Sequence, residues 1–554
     1  MTNKGWAFSR RVDILLLALL ILASGLLRFH DLEGKSLWRD EIETHVFTQE
    51  EYSRMTRLAL EIPYIPVPPL YFYVTRLVGV NLFEGLSLRW PAALFGLLLI
   101  PVVWFTAREI ARPEVGLATA AFTAFSPFMV RYSQEARSYS LLVLLVLTAI
   151  FFLIRAAGEG RKAHWAGFAA STILAMYTHF FALLILPPAF LYTAVIRLKG
   201  VGISSEGLKR VLRTLPVWMA VILAYWPMAE PLLRGLSGER GLRLQMIEPN
   251  FHLGQVPSLL AVVGPAGSPW MWLVFILAVI GALARRPWRP GGRLLVLLMV
   301  GIPFGLAALI PFHHALRLRY LIFVIPLYYL LASAGVCWLV QGRKRRHGLW
   351  MASAGLTVSA AVLISSLSGL SGYYGEGKQD WRSAALFLED TAEASDLILV
   401  DGRGYRNLNL RYRVLDHYAG LGDRISIVKV GEGPGDLAES LDQREGRLWY
   451  VNTLTPKNRG EELFWGASRH LEKRGWKIGA PLKFDAPEPG PAGEVWWIGP
   501  TRYRSVLVVP AYREPHPDRE SLTSGAFLDR ARRIKGADMD DEFTFRYLEA
   551  SPSP

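Results

Sequence analysis

Two adjacent carboxylates, Asp40 and Glu41, follow closely on the first long apolar run of the chain. A carboxylate at a membrane surface can deprotonate an acceptor hydroxyl or amine, or ligate a divalent metal. The surrounding Asp31, Glu33, Glu43, Glu50, Glu51 and Glu61 allow a plainer reading, a solvated acidic loop. Glu135 and Arg137 form a second polar point at the end of another apolar run. They are either an anchoring turn with an ion pair of little energetic weight, or a further acid beside a phosphate-binding guanidinium. A third group is His313, His314, Arg317 and Arg319, which opens a late apolar run. It holds an anion such as a lipid phosphate, or it anchors headgroups. Arg89 stands before another run, and Tyr71 follows the turn-fixing pair Pro68-Pro69. His179 lies in a Tyr177-Thr178-His179 turn, where a lone histidine is by default a packed residue rather than a ligand. Asp380 reads as the N-cap of a helix.

The elements that must position these residues are membrane helices. Of 554 residues, 52% are hydrophobic and only 19% charged, with mean hydropathy +0.25. That excludes disordered, collagen-like and disulfide-scaffold classes. The single Cys337 cannot form an internal disulfide. Runs of membrane length lie near 13–28, 91–107, 115–130, 138–154, 165–180, 181–196, 214–230, 268–284, 294–312, 320–341 and 348–367. The segment 68–83 is apolar but short, a span or an interfacial helix.

The basic residues choose between these. The net charge is +14, from 61 Lys and Arg against 47 Asp and Glu. If 68–83 does not cross, six basic clusters share the side of Lys4, Arg10 and Arg11. The others are Arg108/Arg112, Arg155/Arg161/Lys162, Lys199 to Arg213, Arg285 to Arg293 and Arg343 to Arg346. The positive-inside bias then gives about eleven spans, the N-terminus cytoplasmic and the C-terminus outside.

After about residue 370 the apolar runs shrink to strand length, at Leu397–Val400, Ile425–Val430, Leu448–Val451 and Val495–Ile498. Helical patterns such as Trp381–Leu388 and Glu461–Lys473 lie between them. The expected fold is therefore mostly α: a polytopic membrane domain (1–369) with an interfacial helical first outer loop, a small extracytoplasmic α/β domain (370–510) and a surface tail (511–554). No internal repeat is evident.

Taken in order, Leu37-Trp38-Arg39-Asp40-Glu41, Pro68-Pro69-Leu70-Tyr71, Leu88-Arg89-Trp90-Pro91, Ser133-Gln134-Glu135-Ala136-Arg137-Ser138-Tyr139, Tyr177-Thr178-His179, Arg319-Tyr320-Leu321 and Asp380-Trp381-Arg382 resemble one family. They look like the bacterial integral-membrane glycosyltransferases of the C superfold, relatives of the protein O-mannosyltransferases and lipid A aminoarabinose transferases. The resemblance implies transfer of a sugar from a polyprenyl-phosphate donor, typically with inversion, to a lipid, glycan or protein acceptor. By that likeness Asp40 is the essential first-loop acid, Glu41 its companion and Glu135 the second outer-loop acid. Arg137 and Arg319 would face the donor phosphate. Where many relatives have a His before the Pro-Pro pair, this chain has Val67. The resemblance leaves metal dependence open, and a divalent ion is the one cofactor in question.

The chemistry agrees. A sugar phosphate ester needs a base for the incoming nucleophile and positive charge for the departing phosphate. Asp40 offers the first; Arg137 and Arg319, with Arg89 and Arg317, offer the second. Tyr71, Tyr139, His179 and His313 are the candidate substrate contacts. The partners expected are the lipid donor, the acceptor and membrane lipids, not nucleic acid. A transporter or lipid flippase is the alternative; it predicts internal repeats and mid-span charges, whereas here the charges sit at span ends.

Overall fold

The computed structural model describes residues 10–61, 67–82, 87–237, 270–309, 318–341, 348–375, 380–393, 396–401, 415, 417–421, 425–428, 447–453, 476–478, 482–485, 505–513 and 537–538. They fall into two compact units. One takes in the described residues up to Leu32 and from Phe47 to Tyr373; the other joins Glu33–Val46 to the chain from Tyr374 onward.

The first unit is helical. Each expected apolar run falls on helix, because a backbone in lipid must satisfy its own hydrogen bonds. Among the described residues, eight helices are long and apolar enough to cross a membrane: Arg11–Phe29, Trp90–Ile110, Tyr139–Glu159, Phe180–Leu198, Ser205–Leu233, Gly292–Leu309, Arg319–Val340 and Gly355–Gly375. The other three expected runs give shorter pieces. Pro113–Phe125 and Pro127–Ser133 are parted at Ser126, Lys162–Thr178 has 17 residues, and Trp270–Leu283 has 14. The chain is thus a multi-pass membrane protein. Segment 68–83 forms a seven-residue helix, Leu70–Arg76, running into a wider turn over Leu77–Leu82. At about 1.5 Å per residue it is too short to cross alone.

The first helix, Arg10–Phe29, turns Leu15, Leu19, Leu22 and Leu26 outward and buries Leu17, Ser24 and Arg28, the inside-out pattern of a lipid-facing helix. Ile325–Gln341 is the opposite case, almost wholly enclosed. It packs closely against Trp270–Leu283. A Cβ on Gly281 would collide with the Leu331 carbonyl oxygen, and one on Gly335 with that of Leu277. This is the small-residue contact that lets two membrane helices approach backbone to backbone.

The second unit is α/β. Its strands are β1 Leu397–Asp401, β2 Ile425–Val428, β3 Leu448–Thr453, β4 Trp476–Ile478, β5 Leu482–Asp485, β6 Ser505–Arg513 and β7 Ala537–Asp538. The sheet runs in the order β2-β1-β3-β6-β5-β7, with β4 also on β6. β1 is parallel to β2 and β3, whereas β6 is antiparallel to β3, β4 and β5. Helix Trp381–Thr391 buries Trp381, Phe387 and Leu388, with Phe387 edge-on to Trp449 (centroids 5.9 Å apart).

Three expected strands are present; Val495–Ile498 and the helix Glu461–Lys473 lie outside the described residues. The tail expected from residue 511 differs. β6 runs through that boundary to Arg513, and β7 pairs with β5. Strand β6 carries Val506, Val508 and Val509 and is bonded on both edges, so pairing rather than tail composition decides its state.

Candidate active site

In the α/β unit the chain that follows the first helix enters helix Arg39–Gln49 with Asp40 and Glu41 in its first turn, where carboxylates complement the helix dipole. The two acids part there. Glu41 is fully buried, and its carboxylate accepts the Trp38 backbone N–H (3.4 Å). That is the N3 half of a capping box, so Glu41 helps to start the helix. Asp40 is only half-buried. Leu37 donates its N–H to the Tyr418 hydroxyl (2.7 Å). Arg382 donates its backbone N–H to Ser36 Oγ (3.3 Å) and its guanidinium to the Glu33 carbonyl (2.6 Å). Asp380 caps helix Trp381–Thr391 through the Ser383 N–H (3.1 Å), as expected.

In the membrane unit, a second group gathers where the chain turns between helices. Ser126 accepts the Met129 N–H (3.2 Å), starting helix Pro127–Ser133. The helix ends at Gln134, whose amide donates to the carbonyls of Leu27 and Arg28 (each 3.2 Å) and His30 (2.6 Å). Gln134 thereby fixes the exit of the first helix. Arg28 adds to this from within: its guanidinium donates to Ser24 Oγ (2.6 Å), Ala124 O (3.0 Å) and Thr123 O (3.2 Å). The last two are carbonyls that helix Pro113–Phe125 leaves open where it stops before Pro127.

Glu135 is buried, 3.9 Å from the buried Arg131 Nε. Tyr132 stands edge-on to Tyr139 (4.9 Å), and Tyr139 lies 5.9 Å from the His179 ring. His179 also lies beside Phe180 (5.2 Å, nearly parallel) and Tyr320 (5.7 Å), and Tyr320 stacks on Phe181 (5.2 Å). Arg319 donates to the Tyr320 hydroxyl (3.3 Å).

The electrostatics tie the charged residues to these rings. Desolvation, with the charges of Arg137 and Arg319, holds the His179 imidazole down to about 3, so it is neutral. Glu135, Arg319 and Arg131 all act on the Tyr132 hydroxyl. The Arg319 guanidinium, a neutral imidazole and aromatic hydroxyls are thus gathered at one locus that also feels the charge of Arg137, a donor set suited to an oxyanion such as a phosphate.

Of the site residues expected from sequence, Glu135, Arg137, Tyr139, His179 and Arg319 come together. Arg89 instead donates to the Leu32 carbonyl (2.6 Å). Tyr71 is buried in helix Leu70–Arg76, edge-on to Phe72. His313 and Arg317 lie outside the described residues. Sequence reasoning did not single out Arg28, Arg131, Tyr132, Gln134 or Tyr320. A charge closing the first apolar run was the available signal for Arg28. As to a metal, no group of three His, Cys, Asp or Glu able to hold one occurs among the described residues.

Residues 66–226 match the family model of dolichyl-phosphate-mannose-protein mannosyltransferase. The chain is similar to ArnT from Cupriavidus metallidurans in the apo state, at 14% identity and TM-score 0.51, covering 93% of this chain and 99% of that one. The two share a fold. It is also similar to the apo oligosaccharyltransferase of Archaeoglobus fulgidus, at 12% identity and TM-score 0.51, covering 87% of this chain and 74% of that one. The archaeal oligosaccharyltransferase AglB from Archaeoglobus fulgidus, in complex with an inhibitory peptide and a dolichol-phosphate, gives TM-score 0.51 at 11% identity, covering 87% of this chain and 74% of that one. No curated protein sequence matches.

Proposed function

We propose that the protein transfers a sugar from a polyprenyl-phosphate donor to an acceptor on the outer face of the cytoplasmic membrane. The observation that carries this reading is the gathering of Arg137 and Arg319 about the neutral His179 and its aromatic neighbours. Such a set attracts a phosphate and stabilises the charge that grows on it as it leaves. The mannosyltransferase family match over 66–226 supports the reaction class. The related AglB fold, seen with a dolichol-phosphate, supports a lipid phosphate as the carrier.

Asp40 is the base in this reading. Its carboxylate takes the proton of the acceptor hydroxyl or amine, and the freed electron pair attacks the anomeric carbon. The carbon–oxygen bond to phosphate breaks with inversion, and the polyprenyl phosphate departs with that electron pair, its charge met by Arg137 and Arg319. Glu135 pairs with Arg131. The N-terminus is cytoplasmic and the α/β unit extracytoplasmic.

The test is a panel of polyprenyl-phosphate sugars incubated with purified protein and membrane extract, read by mass spectrometry. Release of polyprenyl phosphate from at least one donor is expected. A panel left intact, under conditions where a known relative turns over, would contradict the proposal.

A further inference from the structure

The run Asp380-Trp381-Arg382 stands more than 300 residues after the first outer loop, yet it belongs to the same compact unit as Glu33–Val46. Each of its residues has a distinct task. Asp380 caps the helix, Trp381 fills the core beneath it, and Arg382 reaches back to the loop. The guanidinium bonds the Glu33 carbonyl, while the backbone N–H of the same residue bonds Ser36 Oγ. The guanidinium also lies 5.3 Å from the Tyr418 ring, and the Tyr418 hydroxyl accepts the Leu37 N–H. Further along, His45 meets His417 edge to face at 4.5 Å, and His417 stands 4.9 Å from Tyr418. The stretch from Glu33 to Leu37 is therefore held at three points, and the helix bearing Asp40 at a fourth. The last held backbone group, Leu37 N–H, lies three residues before Asp40.

From this geometry we infer that Arg382 and Tyr418 are positioning residues: the α/β unit is a clamp that sets the first-loop carboxylate. The inference rests on the reading of Asp40 as base. A base must meet its proton within hydrogen-bond reach, and a misplacement of about 1 Å is enough to cost about a hundredfold in rate. The polar contacts to Glu33, Ser36 and Leu37 are made to backbone or to a short hydroxyl, so they fix the course of the loop rather than recognise a ligand. This gives the α/β unit a part in the chemical step, whatever acceptor it meets.

The experiment uses full-length protein with Tyr418→Phe, Arg382→Ala, Arg382→Lys and Asp40→Asn. Turnover is measured against donor concentration, and hydrogen exchange is followed over 33–46. Tyr418→Phe removes one oxygen and leaves the ring, so it separates the clamp from a folding defect. The expected result is a fall of about ten- to a hundredfold in kcat for Tyr418→Phe and Arg382→Ala, with donor KM within about twofold of wild type. Exchange should rise over 33–46 and stay unchanged in β1 and β3. Arg382→Lys, which keeps a donor for the Glu33 carbonyl, should recover part of kcat. Wild-type kcat in Tyr418→Phe and Arg382→Ala beside an inactive Asp40→Asn would overturn the clamp alone. An active Asp40→Asn would remove the base assignment, and the clamp with it.

Discussion

The backbone N–H of Phe181 donates to Nδ1 of His179 at 3.2 Å. That bond leaves the proton of the neutral ring on Nε2, so His179 is a donor without charge, set among guanidiniums. A charged imidazole there would be opposed by desolvation and by Arg137 and Arg319.

A pH dependence follows. The folded pKa lies near 3, against an ordinary 6.5. Between those values the unfolded chain binds a proton that the folded chain refuses, so stability falls as pH drops through 6.5 toward 3 and is level above. The Tm of wild type should therefore decline more steeply on the acid side than that of His179→Phe, with parallel curves above pH 7. Curves parallel throughout would remove the neutral, enclosed imidazole.

Arg137 and Arg319 should act on the donor phosphate. Replacing either with Ala removes charge-assisted hydrogen bonds worth roughly 1.5–3 kcal/mol each, so kcat/KM for the lipid donor should fall about 10- to 100-fold. Arg319→Lys should restore only part, because an ammonium lacks the planar fork. Steady-state assays with a fixed acceptor read this directly, and unchanged kinetics in both Ala variants would place the phosphate elsewhere.

The membrane framework was written plainly in the sequence, for one physical reason. A helix in lipid needs an apolar run, and the runs near 13–28, 91–107 and 138–154 lie on helices Arg10–Phe29, Trp90–Ile110 and Tyr139–Glu159. The polar turns carrying Glu135, Arg137 and His179 were legible because such groups stand out at span ends. What stayed hidden depends on distant pairing. Asp40 and Glu41 look alike in sequence, but only Glu41 stands three residues after Trp38 with its carboxylate turned to that N–H. Trp38 lacks the hydroxyl that would have advertised a capping box. The contact of Leu37 with Tyr418 joins residues 381 positions apart, beyond any local pattern. Strand β6 went unread because Pro510 interrupts its valines, although Trp449 stands opposite that proline in the ladder.

The helix pair Trp270–Leu283 and Ile325–Gln341 gives a prediction independent of chemistry. Gly281→Val and Gly335→Val each force a side chain onto a facing carbonyl, and overpacking of this kind costs about 1–3 kcal/mol. Gly305→Ala is the control, since a Cβ there meets nothing within 4 Å. Thermal melts followed by size-exclusion chromatography should show both valine variants lost at lower temperature, with Gly305→Ala close to wild type. Equal melting of all three would disprove the close crossing.

The central claim is that Asp40 is the base of sugar transfer. Asp40→Asn keeps size and a carbonyl oxygen but cannot take a proton. Single-turnover transfer with a productive polyprenyl-phosphate sugar should fall by about 10²- to 10⁴-fold, with unchanged membrane insertion, Tm and donor binding. Wild-type transfer in that variant would contradict the account.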